Sequence, residues 1–163
     1  MKKTLSLALA ILLVAVLAAC GGGGAPVGSN KDYAELLTEL RSEDENVVYP
    51  PITSPDDDRF GVLDLVGVNP EDMQRYAIAA SMNIVNVYGV AIILPAEGKA
   101  ESIKKSLEAF VQAMKNSMEN YLPNQYEIAN TAIIREADTG EIVLVMCADA
   151  TILMDNILKG LKG

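Results

Sequence analysis

Apolar residues recur at helical spacing in three parts of the chain. The longest series runs from Lys99 to Tyr121, where apolar positions step by three or four along one face. A second series follows Asp32, after the capping-box-like residues 29–32, and a third follows Asp149, a candidate N-cap. The spacing therefore predicts three helices. Their apolar positions are Ile103, Leu107, Phe110, Met114, Met118 and Tyr121; Tyr33, Leu36, Leu37 and Leu40; and Ala150, Leu153, Ile157 and Leu161.

Four continuous apolar runs have the composition of strands. Residues 76–82 and 87–94 are joined by a polar link at residues 83–86, and residues 131–136 and 141–147 flank a hairpin signal that ends in Gly140. Runs that are apolar at nearly every position indicate strands covered on both faces or near the centre of a sheet.

The order of elements from residue 73 onward is β-β-α-β-β-α, preceded by a short helix signal at residues 60–66 and by a helix start at residues 69–72. We predict a single α+β domain over residues 31–163. It contains a four-stranded antiparallel sheet with helices on one face and an extra N-terminal helix. A chain of this length can bury one core of ordinary size.

The first twenty residues have the organisation of a secretion signal. Lys2 and Lys3 precede an apolar run of about fourteen residues, shorter than the roughly 20 that a membrane span needs. The stretch Leu-Ala-Ala-Cys that ends at Cys20 resembles the lipobox of bacterial lipoproteins, in which the cysteine receives a diacylglyceryl group. The resemblance implies a signal peptide over residues 1–19 and a lipidated Cys20. The alternative is an ordinary signal cut nearby, which would leave Cys20 as a plain cysteine. In either case residues 20–30 are expected to form a flexible, glycine-rich tether.

Charge limits the partners of this domain. The formal net charge is −9 and becomes −11 once Lys2 and Lys3 leave with the signal. An acidic surface repels nucleic acid and anionic lipid headgroups, so we expect no nucleic-acid partner. Attachment to the membrane would then depend on the acyl chains at Cys20, two of which suffice for stable anchoring.

Three stretches resemble a known family. They are "VNPEDMQRYAIAASMNIVNVYGVAII" from Val68, "MENYLPNQYEIANTAII" from Met118 and "EIVLVMC" from Glu141. Over about residues 60–160 the chain is similar to the domain of unknown function 4358 family of Gram-positive type lipoproteins. The resemblance implies an α+β domain, a lipid anchor and a location on the extracytoplasmic face of the cell membrane. It implies no activity and no functional residues.

Few side chains offer catalytic chemistry. The chain has no histidine, which excludes histidine-dependent triads and histidine-ligated zinc, and its two cysteines make neither a zinc site nor a disulfide framework. The acidic run at residues 56–58 lacks the spaced ligands and the glycine of a calcium loop, so we interpret it as solvated charge. We predict no metal and no cofactor.

One polar set lies where two strands meet. Ser81, Asn83, Asn86 and Tyr88 could form a small recognition site at a strand end. The alternative is a turn whose asparagine side chains bond their own backbone.

Two functions remain as hypotheses. The first is a non-catalytic module, tethered at the outer face of the membrane, that binds an envelope protein, a peptide or a small ligand. The second is a carboxylate-dependent envelope hydrolase or transferase that uses residues 56–58, or Glu71 and Asp72. The second requires two acids that converge in a cleft, one of them with a raised pKa.

Overall fold

The computed structural model describes residues 26–58, 60–83 and 85–163, so the predicted signal peptide and Cys20 lie outside the described residues. The helices are α1 (Tyr33–Leu40), α2 (Glu43–Val48), α3 (Val62–Val66), α4 (Ala100–Met118), α5 (Pro123–Asn130) and α6 (Ala150–Lys162). The strands are β1 (Met73–Ala80), β2 (Gly89–Pro95), β3 (Ile133–Glu136) and β4 (Ile142–Met146), and single 3-10 turns lie at Pro55–Asp57 and Pro70–Asp72. Among the described helices, none has the length and apolar character needed to cross a bilayer.

The four strands form one antiparallel sheet in the order β1-β2-β4-β3. The two hairpin pairs, β1 with β2 and β3 with β4, are joined through the β2–β4 contact at the centre. The predicted α+β class, the four antiparallel strands and the β-β-α-β-β-α order are confirmed, with α5 as an additional helix before β3.

Helices cover both faces of the sheet, whereas the sequence analysis expected them on one face. On one face Ile78 of β1 and Leu144 of β4 pack with α3 and α4. On the other face Val90 of β2 and Val145 of β4 pack with α1 and α6. The physical reason lies in the strands themselves: successive side chains point to opposite faces, and both sets are apolar, so each face needs a cover.

Several boundaries differ from the predicted ones. Asp32 is the N-cap of α1 and accepts a hydrogen bond from the Glu35 N–H, while the capping box belongs to Ser42 and Glu45 at the start of α2. The helix start at residues 69–72 gives only a 3-10 turn, because pairing with β2 places Met73 in β1.

The segment 26–31 packs against one end of the sheet, where β1 begins and β2 ends. The Gly28 N–H donates to the Thr139 carbonyl at 3.2 Å, and the Gln74 side chain donates to the Pro26 carbonyl at 3.3 Å. Gly28 has a φ of 70°, and a Cβ there would lie 2.6 Å from a Leu94 methyl carbon, so only glycine suits this close approach. Residues 26–30 therefore differ from the flexible tether that the sequence predicted.

A buried carboxylate holds this segment in place. Glu141, 0% exposed, accepts hydrogen bonds from the Ser29 N–H, the Tyr33 hydroxyl and the Thr139 hydroxyl. Burial alone would raise the pKa of Glu141, but these hydrogen bonds outweigh burial and lower that pKa below its usual range. The Arg75 guanidinium lies 4.6 Å from the centroid of the Tyr33 ring and donates to its hydroxyl at 3.0 Å. The first helix is thereby fixed to the sheet through a polar cluster.

Candidate functional site

An open groove lies at the opposite end of the sheet, where β1 ends and β2 begins. Its volume is about 320 Å³, within the usual size range of ligand sites. It is lined by residues 48–50, Ile52, Phe60, Val62, residues 80–83 and Asn86, and we call this site the groove.

Large apolar side chains are exposed around the groove. Phe60 is 74% exposed, Val48 is 61% exposed and Met82 is 48% exposed. A single exposed apolar residue is ordinary, but several gathered around one concave opening are typical of an interaction surface. The flexible side chain of Met82 can adapt its shape to different apolar partners.

The groove borders the outer edge of β1, along which only a short bridge is formed. Ile52 and Ile78 exchange two backbone hydrogen bonds, of 2.7 and 3.0 Å, along the outer side of β1. In an antiparallel pair the outward-facing backbone groups alternate, so the N–H and C=O of Ala80 point to the same side as those of Ile78. Continuing the register of this bridge places Pro50 opposite Ala80, and a proline has no N–H to offer the Ala80 carbonyl. The bridge therefore ends where the groove begins.

The polar link brings three of the four predicted site residues to the groove. Ser81, Asn83 and Asn86 all line it. The Ser81 hydroxyl accepts from the Asn83 N–H at 3.1 Å, and the Asn83 side chain accepts from the Val85 N–H at 3.1 Å. These side chains thus stabilise their own loop, as the alternative interpretation expected, while they also border the opening.

Tyr88, the fourth predicted residue, does not line the groove. It is buried against the face of the sheet that α1 and α6 cover. Its ring stacks on that of Tyr49, with ring centroids 4.3 Å apart. Arg41, itself buried, donates to the Tyr49 carbonyl at 3.0 Å and to the Tyr88 hydroxyl at 3.4 Å. Burial raises the pKa of Tyr88, which keeps its hydroxyl neutral. Tyr88 therefore supports the wall that Tyr49 contributes.

The walls of the groove were missed by the sequence analysis. No helix or strand was predicted in residues 43–58, although this stretch contains α2 and the Ile52 bridge. A usable signal was present in the apolar pair Val47-Val48 directly after a capping-box sequence, and in Phe60 directly before a short apolar helix.

Two runs of three acidic residues lie close in sequence to the residues that line the groove. Residues 43–45 form the first turn of α2, and residues 56–58 precede Phe60. Asp58 caps α3 by accepting from the Val62 and Leu63 N–H groups at 2.6 and 2.9 Å. Burial, together with the charges of Asp57 and Asp58, raises the pKa of Tyr76 on β1, so the negative field of this loop reaches the sheet edge.

The carboxylates that a hydrolase would need are spread apart. Glu71 and Asp72 lie beside the start of β1, at the end opposite the groove, and Asp72 pairs with Lys99 at 2.9 Å. Hydrogen bonds from Ser54 and Thr53 lower the pKa of Asp57, the reverse of what a general acid requires. Within the described ranges, no group of three or more histidine, cysteine, aspartate or glutamate side chains is arranged to hold a metal ion.

The fold and the groove define a small α+β domain with an open apolar surface site. The family model described as Domain of unknown function (DUF4358) matches residues 55–148, more than half of the chain, and the chain belongs to this family. The resemblance noted from the sequence is thereby confirmed for the family. The matched range includes Phe60, all four strands and the polar link. Comparison with curated proteins and with solved structures gives no match.

Proposed function

We propose that this chain is a lipid-anchored, extracytoplasmic protein whose domain is a non-catalytic binding module. Cys20 would carry the lipid and hold the protein at the outer face of the cell membrane. The groove would bind a segment of another envelope protein. The basic and apolar N-terminus that ends in Cys20 supports the anchor, and the acidic charge of the rest of the chain disfavours nucleic acid as a partner.

The groove is the main observation that supports the binding function. Apolar surface left in water is unfavourable by about 25 cal/mol per Å², so a partner that covers Phe60, Val48 and Met82 gains free energy from their burial. The site also offers the polar rim that an interface uses for orientation, in Ser81 and the two asparagines. The acids named for the carboxylate-enzyme alternative do not support it as well, because hydrogen bonds lower the pKa of Asp57 and Asp72 is paired with Lys99 at the other end of the sheet.

The anchor is tested in cells that express the full chain, with a matched Cys20→Ser variant. Incorporation of labelled palmitate and recovery in the membrane fraction are expected for the parent chain. Both should be lost in C20S. A C20S chain that still takes up label and stays with the membrane would contradict lipidation at this residue.

The binding surface is tested in the same cells with a photo-crosslinking amino acid. It replaces Met82 in the groove or, as the control, Glu97 in the exposed turn after β2 at the other end of the sheet. Crosslinked products are expected from position 82 and not from position 97. Equal crosslinking at the two positions, or none at position 82, would count against a binding site in the groove.

A further inference from the structure

We infer that segment 26–31 opens as a unit while the rest of the domain stays folded, and that its opening lengthens the chain between Cys20 and the core. The opening itself is argued from the contacts of the segment, whereas its effect on the position of the domain rests on the proposed lipid at Cys20. Three features point to it: the segment belongs to neither core, it is held by hydrogen bonds, and helix α1 is fixed independently of it.

The segment contributes no side chain to either hydrophobic core, since both cores lie wholly between Tyr33 and Leu161. Val27 is 92% exposed, and Gly28 has no side chain to bury. Hydrophobic burial is the main term that holds a core together, and for this segment it is small. Parts of a protein with few buried apolar contacts open at a free energy well below that of global unfolding.

Hydrogen bonds to polar groups of β1 and of the β3–β4 hairpin hold the segment in place. Gln74 and Arg75 donate to the carbonyls of Pro26, Ser29 and Lys31, while the N–H groups of Gly28 and Ser29 donate to Thr139 and Glu141. Water can replace each of these partners once the segment leaves. Each bond therefore contributes only modestly to the closed state.

Opening also gives a buried charge access to water. Glu141 is 0% exposed beneath the closed segment, and burial of a charge is unfavourable even where hydrogen bonds compensate for it. When the Ser29 N–H leaves, the carboxylate keeps the hydroxyl groups of Tyr33 and Thr139 and gains water. The recovered hydration reduces the free-energy difference between the closed and open states.

Helix α1 stays in place when the segment opens. Asp32 caps the helix by accepting from the Glu35 N–H at 2.9 Å, and Tyr33, 4% exposed, is the first core residue. The hinge therefore lies between Lys31 and Tyr33. Opening frees the seven residue steps from Pro26 to Tyr33, which extend over at most about 25 Å. With a lipid on Cys20, the domain would then stand farther from the bilayer and turn more freely.

Amide hydrogen exchange followed by NMR measures the opening. The protein begins at Gly21, which retains both cores and leaves chain on the N-terminal side of Pro26. We expect the Gly28 and Ser29 amides to have similar protection factors, at least about a hundredfold below that of Ile92 on the central strand β2. Low concentrations of urea should speed exchange at Ile92 and leave the other two amides unchanged, because a local opening exposes little surface.

Matched arginine substitutions identify the contacts that close the segment. Arg75→Gln removes the guanidinium donors to the segment but leaves the acceptor of the Gly28 N–H in place, so exchange at Gly28 should become at least tenfold faster. Arg135→Gln makes the same change on β3, where the arginine pairs with Asp155, and should have less than a twofold effect. Both arginines are exposed, so the domain should remain folded in either variant.

The outcomes separate this inference from the proposed anchor. Equal protection of Gly28 and Ile92, with the same dependence on urea, overturns it, because the segment would then open only with the whole domain. Protection factors of Gly28 and Ser29 that differ by more than tenfold overturn the opening as a unit, and unchanged exchange in R75Q overturns the contacts assigned to closure. Each of these results would leave the anchor standing. A C20S chain that keeps its label would refute the anchor and the effect on position, but not the opening.

Discussion

Replacement of Glu141 by glutamine tests whether a buried charge fixes the N-terminal segment. Glu141 accepts three hydrogen bonds, two at Oε1 from Ser29 and Tyr33 and one at Oε2 from Thr139. Glutamine keeps one oxygen acceptor but places an amide donor opposite the third partner. Hydrogen bonds to a charged group contribute about 1.5–3 kcal/mol, against about 0.5–1.5 for neutral ones. We therefore expect E141Q to lower the free energy of unfolding by about 1–3 kcal/mol.

The effect should depend on pH in a defined direction. The pKa of Glu141 is lowered in the folded protein, so its stabilising contribution is present above the unfolded-state pKa of about 4.3. The contribution is lost as the pH falls through the lower, folded-state pKa. The stability gap between parent and E141Q should accordingly be full at pH 7 and should shrink below about pH 4.

Thermal unfolding followed by circular dichroism measures this gap. For a domain of this size, the expected loss lowers Tm by roughly 4–12 °C at pH 7. The control is Glu108→Gln, which removes the same charge from an exposed position on α4 and should shift Tm by less than about 2 °C. Equal Tm values for parent and E141Q at pH 7, or a gap that stays constant from pH 7 to pH 3, would refute the reasoning.

Three further changes probe other parts of the fold. Gly89→Ala would place a Cβ 2.9 Å from a Phe110 ring carbon, so thermal unfolding should show a loss of about 1–3 kcal/mol, and an unchanged Tm would contradict the close contact. Ser42→Ala removes the capping box with Glu45, and a loss of about 0.5–2 kcal/mol in urea unfolding is expected; a neutral result would mean that α2 does not need its cap. Burial raises the pKa of Cys147, so in the chain that begins at Pro26 a colorimetric thiol reagent at pH 7.5 should react at least tenfold more slowly with native than with denatured protein; similar rates would show an accessible thiol.

The local parts of the fold could be predicted from the sequence. The apolar faces of α4 and α6 follow from helical periodicity, and the four strands follow from continuous apolar runs; neighbouring residues alone decide both patterns. The helices on the second face of the sheet were not predicted there, because a β-β-α pattern does not specify on which face of the sheet each helix packs. The additional helix α5 was not predicted; Pro123 is its first residue, where a missing N–H is tolerated.

The candidate site was predicted in part. Ser81, Asn83 and Asn86 were found because they interrupt two apolar strands, whereas Tyr49 was missed because its role depends on contacts across the fold. Glu141 had no local signal at all. Its partners Ser29 and Tyr33 lie 112 and 108 residues away in the chain.

The attachment of segment 26–31 has a consequence for how the domain would stand on a membrane. Six residue steps separate Cys20 from Pro26, a span of at most about 22 Å. With a lipid on Cys20, as we propose, the end of the sheet that holds Pro26 must therefore stay near the bilayer. From Gln74 beside Pro26, β1 runs about 20 Å to Ala80 at the groove. The groove would therefore face away from the lipid, toward partners that approach from the cell exterior.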